Sequence, residues 1–210
     1  MIQEGIKNII FDLGGVILDL DVDRTYHQFS KLSGKPVPQL KKEMAEVTFF
    51  NEYERGNIND EDFRNELGRF LRSNVSDRQI DEAWNAMLGS LPQARVDLLK
   101  KINGKIRIFL LSNTNNIHLQ CFTKIAEDTL GSSTWGDLFE KTYYSHLLKM
   151  RKPDTAIYSH VLNENNLLAG ETLFLDDNLA NLQGAASLGI QTFHINHPDL
   201  LFSLFDEPKT

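Results

Sequence analysis

The chain has 210 residues, of which 41% are hydrophobic, 10% aromatic and 24% charged, a balance that excludes wholesale disorder, a collagen-like repeat and a coiled coil. Lys and Arg total 22 against 29 Asp and Glu, for a formal charge of −7, and there is no basic stripe of the kind a nucleic-acid binder carries. The lone cysteine, Cys121, excludes an intrachain disulfide framework and a CxxC metal site and fits a reducing cytoplasm.

The opening stretch MIQEGIKNIIFDL has no basic region followed by an apolar run and a cleavage site, so no signal peptide is expected. No apolar run approaches the roughly 20 residues of a membrane helix. Asn8–Phe11 is the first of four short apolar runs that predict buried strands. The alternation then stops. Residues 22–91 hold no convincing strand. Within them Gly56-Asn57 reads as a turn between helices. Asn59 or Asp60 caps a helix with Phe63, Leu67, Phe70 and Leu71 on one face, and Ser76-x-x-Gln79 is a capping box.

Strand and helix patterns then alternate: helix Pro92–Ile102, strand Ile106–Leu111, helix Ile117–Ala126, helix Thr155–Leu162, strand Thr172–Leu175, helix Ala180–Leu188 and a weaker strand Gln191–Ile195. This order predicts an α/β fold with a parallel sheet and right-handed crossovers. It divides the chain into a core of residues 1–18 and 91–210 and an all-helical insert of residues 19–90. The polar tail, Asp206–Thr210, is expected to fray.

Three of these strands end in polar chemistry. IIFDLGGV places Asp12 at the first strand end, IFLLSNTNN places Ser112 and Asn113 at the second, and LFLDDN places Asp176 and Asp177 at the third. KMRKPD adds Lys152 from a loop. Parallel strands bring their carboxyl ends to one edge, where α/β sheets bind ligands. Each motif alone reads more simply as a turn or a helix cap; their ordered conjunction does not. Asp12 with Asp176-Asp177 forms a hard-oxygen set suited to Mg²⁺. At 4 Å and an effective dielectric near 20, one carboxylate against a phosphate dianion costs roughly 8 kcal/mol. A divalent cation and Lys152 would offset that repulsion, while Ser112 and Asn113 could donate to phosphate oxygens. The chemistry these groups suggest is phosphoryl transfer through a carboxylate nucleophile.

The chain resembles the haloacid dehalogenase superfamily of hydrolases, whose four motifs are matched in order by Asp12 in DLGGV, Ser112, Lys152 and Asp176-Asp177, across about 165 residues. The insert resembles the helical cap of that superfamily's subclass I. DLGGVILDLD, ERGNINDEDF, LSNTNNIH, MRKPD and FLDDN are similar to the branch containing α-D-glucose-1-phosphate phosphatase. The phosphatase domain of soluble epoxide hydrolase is a more distant likeness. The resemblance implies a Rossmann-like core and a cytoplasmic, Mg²⁺-dependent phosphatase of a small phosphorylated metabolite, a sugar phosphate such as glucose-1-phosphate. It implies Asp12 as nucleophile and metal ligand, and Gly14 as a ligand through its carbonyl. Asp177 would be the main carboxylate ligand of the last motif, with Asp176 ligating directly or through water. Ser112 and Asn113 would bind phosphate, and Lys152 would steady both nucleophile and phosphoryl group. A monomer suits the architecture, with no nucleic-acid or membrane partner.

One position departs from the family pattern. Most of its phosphatases place a second Asp, the general acid and base, where this chain has Gly14. Loss of such help costs about 10²–10⁴ in rate. Asp19 and Asp21 are nearby candidates to replace it, although a hinge turn and a helix cap explain them more simply. Glu54 and Arg55 either face the pocket or form a solvated pair. Phe49, Phe50 and Tyr53 read as insert core before a sugar platform, Trp84 and Trp135 as packing residues, and His118 as a polar helix residue first and a site contact second. His146, His160, His194 and His197 show no metal-ligand spacing. Two alternatives stand beside the phosphatase: a metal-independent haloacid dehalogenase, and a non-catalytic phosphate-binding protein. Hinges are expected near Leu18–Asp21 and Gly89–Pro92.

Overall fold

A computed structural model describes residues 4–197 and 199–205. Its centre is a five-stranded parallel sheet of β1 (Asn8–Phe11), β2 (Arg107–Ser112), β3 (Lys141–Tyr144), β4 (Thr172–Asp176) and β5 (Gln191–His194), in the order β3-β2-β1-β4-β5. The four expected strands are present with ends shifted by a residue or so. The sequence reading omits β3. KTYY lies at the sheet edge with one of its four residues buried, so it lacks the apolar run that marks the central strands.

Between β1 and β2 the chain forms α1 (Val22–Ser33), α2 (Val37–Glu46), α3 (Phe49–Glu54), α4 (Asp60–Leu71), α5 (Asp77–Asn85) and α6 (Gln93–Ile102). The expected local signals act here: Asn59 caps α4 through its side chain, and Ser76 and Gln79 form the capping box of α5. Beyond β2 come α7 (Asn116–Leu130) and α8 (Trp135–Leu138), then, after β3, α9 (Ser145–Leu148) and α10 (Thr155–Glu164). Helices α11 (Leu179–Ala186) and α12 (Leu200–Phe205) flank β5. Helix α7 runs four residues past its expected end, to a glycine at its C-terminus. The tail from residue 206 lies outside the described residues.

Strand periodicity sorts the core into two faces. Ile9 and Phe11 point to one face and meet Val96 and Leu99 of α6 and Phe122 and Ala126 of α7. Ile10 points to the other and meets Ile157 and Val161 of α10 and Leu182 and Ala185 of α11. Helices α1 to α5 pack on their own apolar centre of Phe29, Leu40, Tyr53, Phe63, Leu67 and Trp84, which Ile117 of α7 joins. Tyr53, Phe63 and Trp84 are therefore core residues, as expected. Trp135 is buried in the core face beside Phe139.

The two connections to this helical group run side by side. The Asp19 N–H donates to the Ser90 carbonyl at 2.9 Å, the Gly89 N–H to the Asp19 carbonyl at 2.8 Å, and the Asp21 N–H to the Met87 carbonyl at 2.8 Å. The segments expected to act as hinges thus form one narrow ribbon.

Candidate active site

Strands β1, β2 and β4 end at one sheet edge in Asp12, Ser112 and Asp176. The Asp12 N–H continues the sheet by donating to the Leu175 carbonyl at 2.8 Å. Lys152 enters from the loop between α9 and α10 and is 1% exposed. Its ammonium donates to Asp12 Oδ1 at 2.8 Å, Asp176 Oδ2 at 2.7 Å and the Leu111 carbonyl at 3.0 Å. All three of its donors are used. Asp12 Oδ1 also accepts the Leu13 N–H at 2.7 Å. Asp12 Oδ2 makes no hydrogen bond to the described residues, and Asp12 lines a cavity of about 610 Å³ with Gly14, Ser112, Asn113, Lys152 and Asp177.

Asp176 is fully buried and its oxygens are occupied. Oδ1 accepts the Asn178 N–H at 2.7 Å, and the Asn181 amide reaches both oxygens at 3.1 Å. Asp177 sits at the open side. Gly15 lets the loop after Asp12 pass close to it: the backbone there is left-handed (φ +74°), and a Cβ would collide with the Asp177 carboxylate.

Asp12, Asp176 and Asp177 each offer an oxygen within 4.8 Å of the others. Three carboxylates face one paired ammonium, which leaves two negative charges uncompensated. Like charges 4 Å apart at an effective dielectric near 20 repel by about 4 kcal/mol. Burial, followed by the charges of Asp176 and Asp177, pushes the Asp12 carboxyl up to about 7 against the pull of Lys152. Burial and Asp176 raise Asp177 as well. Burial works to lower the Lys152 pKa, but Asp12 and Asp176 outweigh it and hold the ammonium charged. A hard-oxygen set short of two positive charges fits a divalent cation such as Mg²⁺. Among the described residues no group of histidines forms such a set.

Ser112 is buried at the cavity wall, and its hydroxyl makes only a long 3.4 Å contact with the Asn113 carbonyl. Asn113 is committed elsewhere. Its amide donates to the Lys152 carbonyl and accepts the Lys152 N–H, both at 2.9 Å. The side chain therefore straps the lysine backbone in place and keeps one free N–H.

The residues without assigned roles separate clearly. Asp19 pairs with Arg95 at 2.8 Å and accepts from Ser90, and Asp21 caps α1. Neither lines the cavity, so the simpler explanations of both hold. A Cβ on Gly14 would meet Leu20 Cδ2 at 3.1 Å, so an apolar side chain fills the space a larger residue would need there. Glu54 and Phe50 line the cavity, whereas Arg55 pairs with Asp154. His118 is buried, stacked on Trp84, and bonded to the Trp84 carbonyl and Asn115. Burial pushes its pKa down to about 4, so it stays neutral.

Sequence reasoning missed Asn181 and Ser145. Asn181 is the buried polar residue in the apolar run LANLQGAA, which is the one signal that could have found it. Ser145 accepts the Thr114 N–H at 2.9 Å and donates to the Thr114 carbonyl at 3.0 Å, fixing the loop after Ser112. Nothing local marks it.

Residues 6–189 match the family model of haloacid dehalogenase-like hydrolases. The chain is 28% identical over 190 residues to D-ribitol-5-phosphate phosphatase of Bacteroides thetaiotaomicron, covering 90% of this chain and 91% of that protein. It is 28% identical over 198 residues to a sesquiterpene phosphatase of Aspergillus oryzae, covering 90% and 89%. Its fold superposes on the crystal structure of a B. thetaiotaomicron enzyme of this family in complex with magnesium and inorganic phosphate. That match has a TM-score of 0.80 and 36% identity, covering 90% of this chain and 93% of that one.

Proposed function

The chain belongs to the haloacid dehalogenase-like hydrolase family, and from that premise we propose a Mg²⁺-dependent phosphatase acting on a small phosphorylated metabolite through an aspartyl-phosphate. The observation that carries this reading is the Asp12–Lys152–Asp176 chain, with Asp177 beside it at a cavity large enough for a small ligand. The named phosphatases among its relatives support it.

Asp12, Asp177 and the Gly14 carbonyl would hold the metal, with Asp176 acting behind them, since its own oxygens are taken. Bound there, the cation supplies charge neutralisation and polarises the phosphoryl oxygens. Lys152 holds Asp12 through Oδ1 and leaves Oδ2 free to attack phosphorus. The Asp12–phosphorus bond forms as the bond to the leaving oxygen breaks, and that oxygen takes a proton from solvent water at the open side of the cavity. A water then attacks the same phosphorus, gives up a proton to solvent, and Asp12 leaves as a carboxylate. Ser112 and the free Asn113 N–H donate to phosphate oxygens. Residues 19–90 act as a cap over the core of residues 1–18 and 91–210.

Position 14 supplies no acid, and Leu20 occupies its space. That favours leaving groups needing little protonation. An anomeric oxygen is such a group, because the ring oxygen draws electron density from it. This supports a sugar phosphate such as glucose-1-phosphate and the α-D-glucose-1-phosphate phosphatase branch. Ribitol-5-phosphate and a sesquiterpenyl phosphate are the competing substrates that the relatives' names suggest. A metal-free dehalogenase would also use an Asp nucleophile, but it would leave the Asp176–Asp177 charges without a task.

The test is phosphate release from these three substrates with Mg²⁺, with EDTA and Asp12→Asn as controls. Fastest turnover of glucose-1-phosphate, lost in both controls, is the expected result. Turnover that survives EDTA refutes the metal-dependent reading.

A further inference from the structure

Three consecutive residues at the end of α3 touch the core on either side of the catalytic lysine. Glu54 Oε2 accepts from Arg151 Nε at 2.5 Å, 97 residues away in sequence. Arg55 Nη2 forms an ion pair with Asp154 Oδ2 at 2.7 Å. Gly56 has a left-handed backbone (φ +66°) and lies so close to the His146 carbonyl that any Cβ would collide with it. The charge order on the insert, negative then positive, meets positive then negative on the turn Arg151–Asp154. That turn holds Lys152 and is closed by the Asp154 N–H on the Arg151 carbonyl at 3.0 Å. Arg151 Nη1 also donates to the Lys152 carbonyl at 3.0 Å.

The neighbouring contacts reach the other phosphate-side loop. Asp60 of α4 accepts from Asn116 at 2.7 Å, and the Ile117 N–H donates to the Tyr53 hydroxyl at 3.2 Å. The stretch from Tyr53 to Asp60 therefore meets both the Ser112 loop and the Lys152 loop. Either ion pair alone, on a partly exposed surface, contributes little to stability. Their placement around one buried ammonium gives them a different use.

We propose that Glu54 and Arg55 are positioning residues. They form a charge-matched clamp through which the seated helical insert braces the Lys152 turn, which Asn113 also holds, refining where the ammonium meets Asp12 and Asp176. On the phosphatase reading above, this makes the precision of the Lys152 position depend on two ion pairs from the insert. Arg151 also lines the cavity, and its part in the clamp runs through its hydrogen bond to the Lys152 carbonyl.

The test is a double-mutant cycle on Glu54→Gln and Arg151→Gln, read as kcat and KM separately. The expected result is a loss of about tenfold in kcat for each single variant, no further loss in the double variant, and KM within twofold of the parent. Losses that multiply in the double variant, or that fall on KM alone, would overturn the clamp and make both residues independent substrate contacts. Arg55→Ala removes the more exposed pair and keeps the fold. Hydrogen exchange of residues 150–157 in that variant should quicken at least threefold while β1 and β4 are unchanged. Equal exchange in parent and variant refutes the clamp. Exchange needs no turnover, so it still decides the matter if the parent releases no phosphate, an outcome that instead defeats the phosphatase reading.

Discussion

Lys152→Met removes the cation from a site that has no replacement for it. The side chain is 1% exposed and bonds two carboxylates and a backbone carbonyl. Methionine fills similar volume, so packing is largely kept and the loss is electrostatic. Breaking a buried ion pair by deleting one partner costs about 3–5 kcal/mol. For a chain of this size each kcal/mol moves Tm by about 2–4 °C, so the variant should melt roughly 6–20 °C lower. Urea unfolding followed by the fluorescence of buried Trp84 and Trp135 gives the same quantity without heating. The pH dependence has a definite sign. The Asp12 carboxyl, already pushed up to about 7 by burial against the pull of Lys152, rises further without the ammonium, so the protonated form is favoured in the variant. The variant should therefore recover stability relative to the parent as pH falls from above 8 to about 7, below which Asp12 is protonated in the parent as well. A destabilisation below about 1 kcal/mol at pH 8, or a deficit that grows on acidification, would refute the account of Lys152 as the ion holding this cluster together.

Other consequences can be checked with the same protein. His118 is buried and neutral, with its pKa lowered from 6.5 to about 4; the unfolded chain binds the extra proton, so stability should fall by about 3 kcal/mol as pH drops from 6.5 to 4, and a His118→Gln variant should lose that slope in urea titrations. Gly56→Ala forces a Cβ into the His146 carbonyl, and should cost about 1–3 kcal/mol and lower kcat; unchanged stability would show that the turn yields freely. Gly14→Asp alone meets Leu20, whereas Gly14→Asp with Leu20→Ala restores both an acid and its space. The double variant should raise turnover of an alkyl phosphate about tenfold or more over Leu20→Ala alone, and equal rates would place the missing acid elsewhere.

Much of the site is legible in the sequence because strand ends are local events. Asp12, Ser112 and Asp176 each terminate a short apolar run, and a parallel sheet aligns those ends whatever the chain does between them. Lys152 is legible through its motif, not through any periodicity. Strand β3 is not legible, because an edge strand with one buried residue carries neither alternation nor an apolar run. The second task of Asn113 is hidden for another reason. An Asn after a strand reads as a donor to a ligand, and only the approach of the Lys152 turn, 39 residues away, shows where its amide goes. Asp19 and Asp21 are near Asp12 in sequence, but the ribbon formed with residues 87–90 turns them toward Arg95 and the start of α1. Sequence proximity is a poor guide where the chain leaves the sheet. Glu54 is the reverse case: it lies 42 residues beyond Asp12 and lines the same cavity.

The central claim is that Asp12 carries the phosphoryl group. The most direct measurement is an acid quench of enzyme turning over a substrate labelled in its phosphate, followed by peptide mapping. Label on the peptide containing Asp12, absent with EDTA and absent in Asp12→Asn, is the predicted result. Full turnover by Asp12→Asn, or label on a different residue, would contradict it.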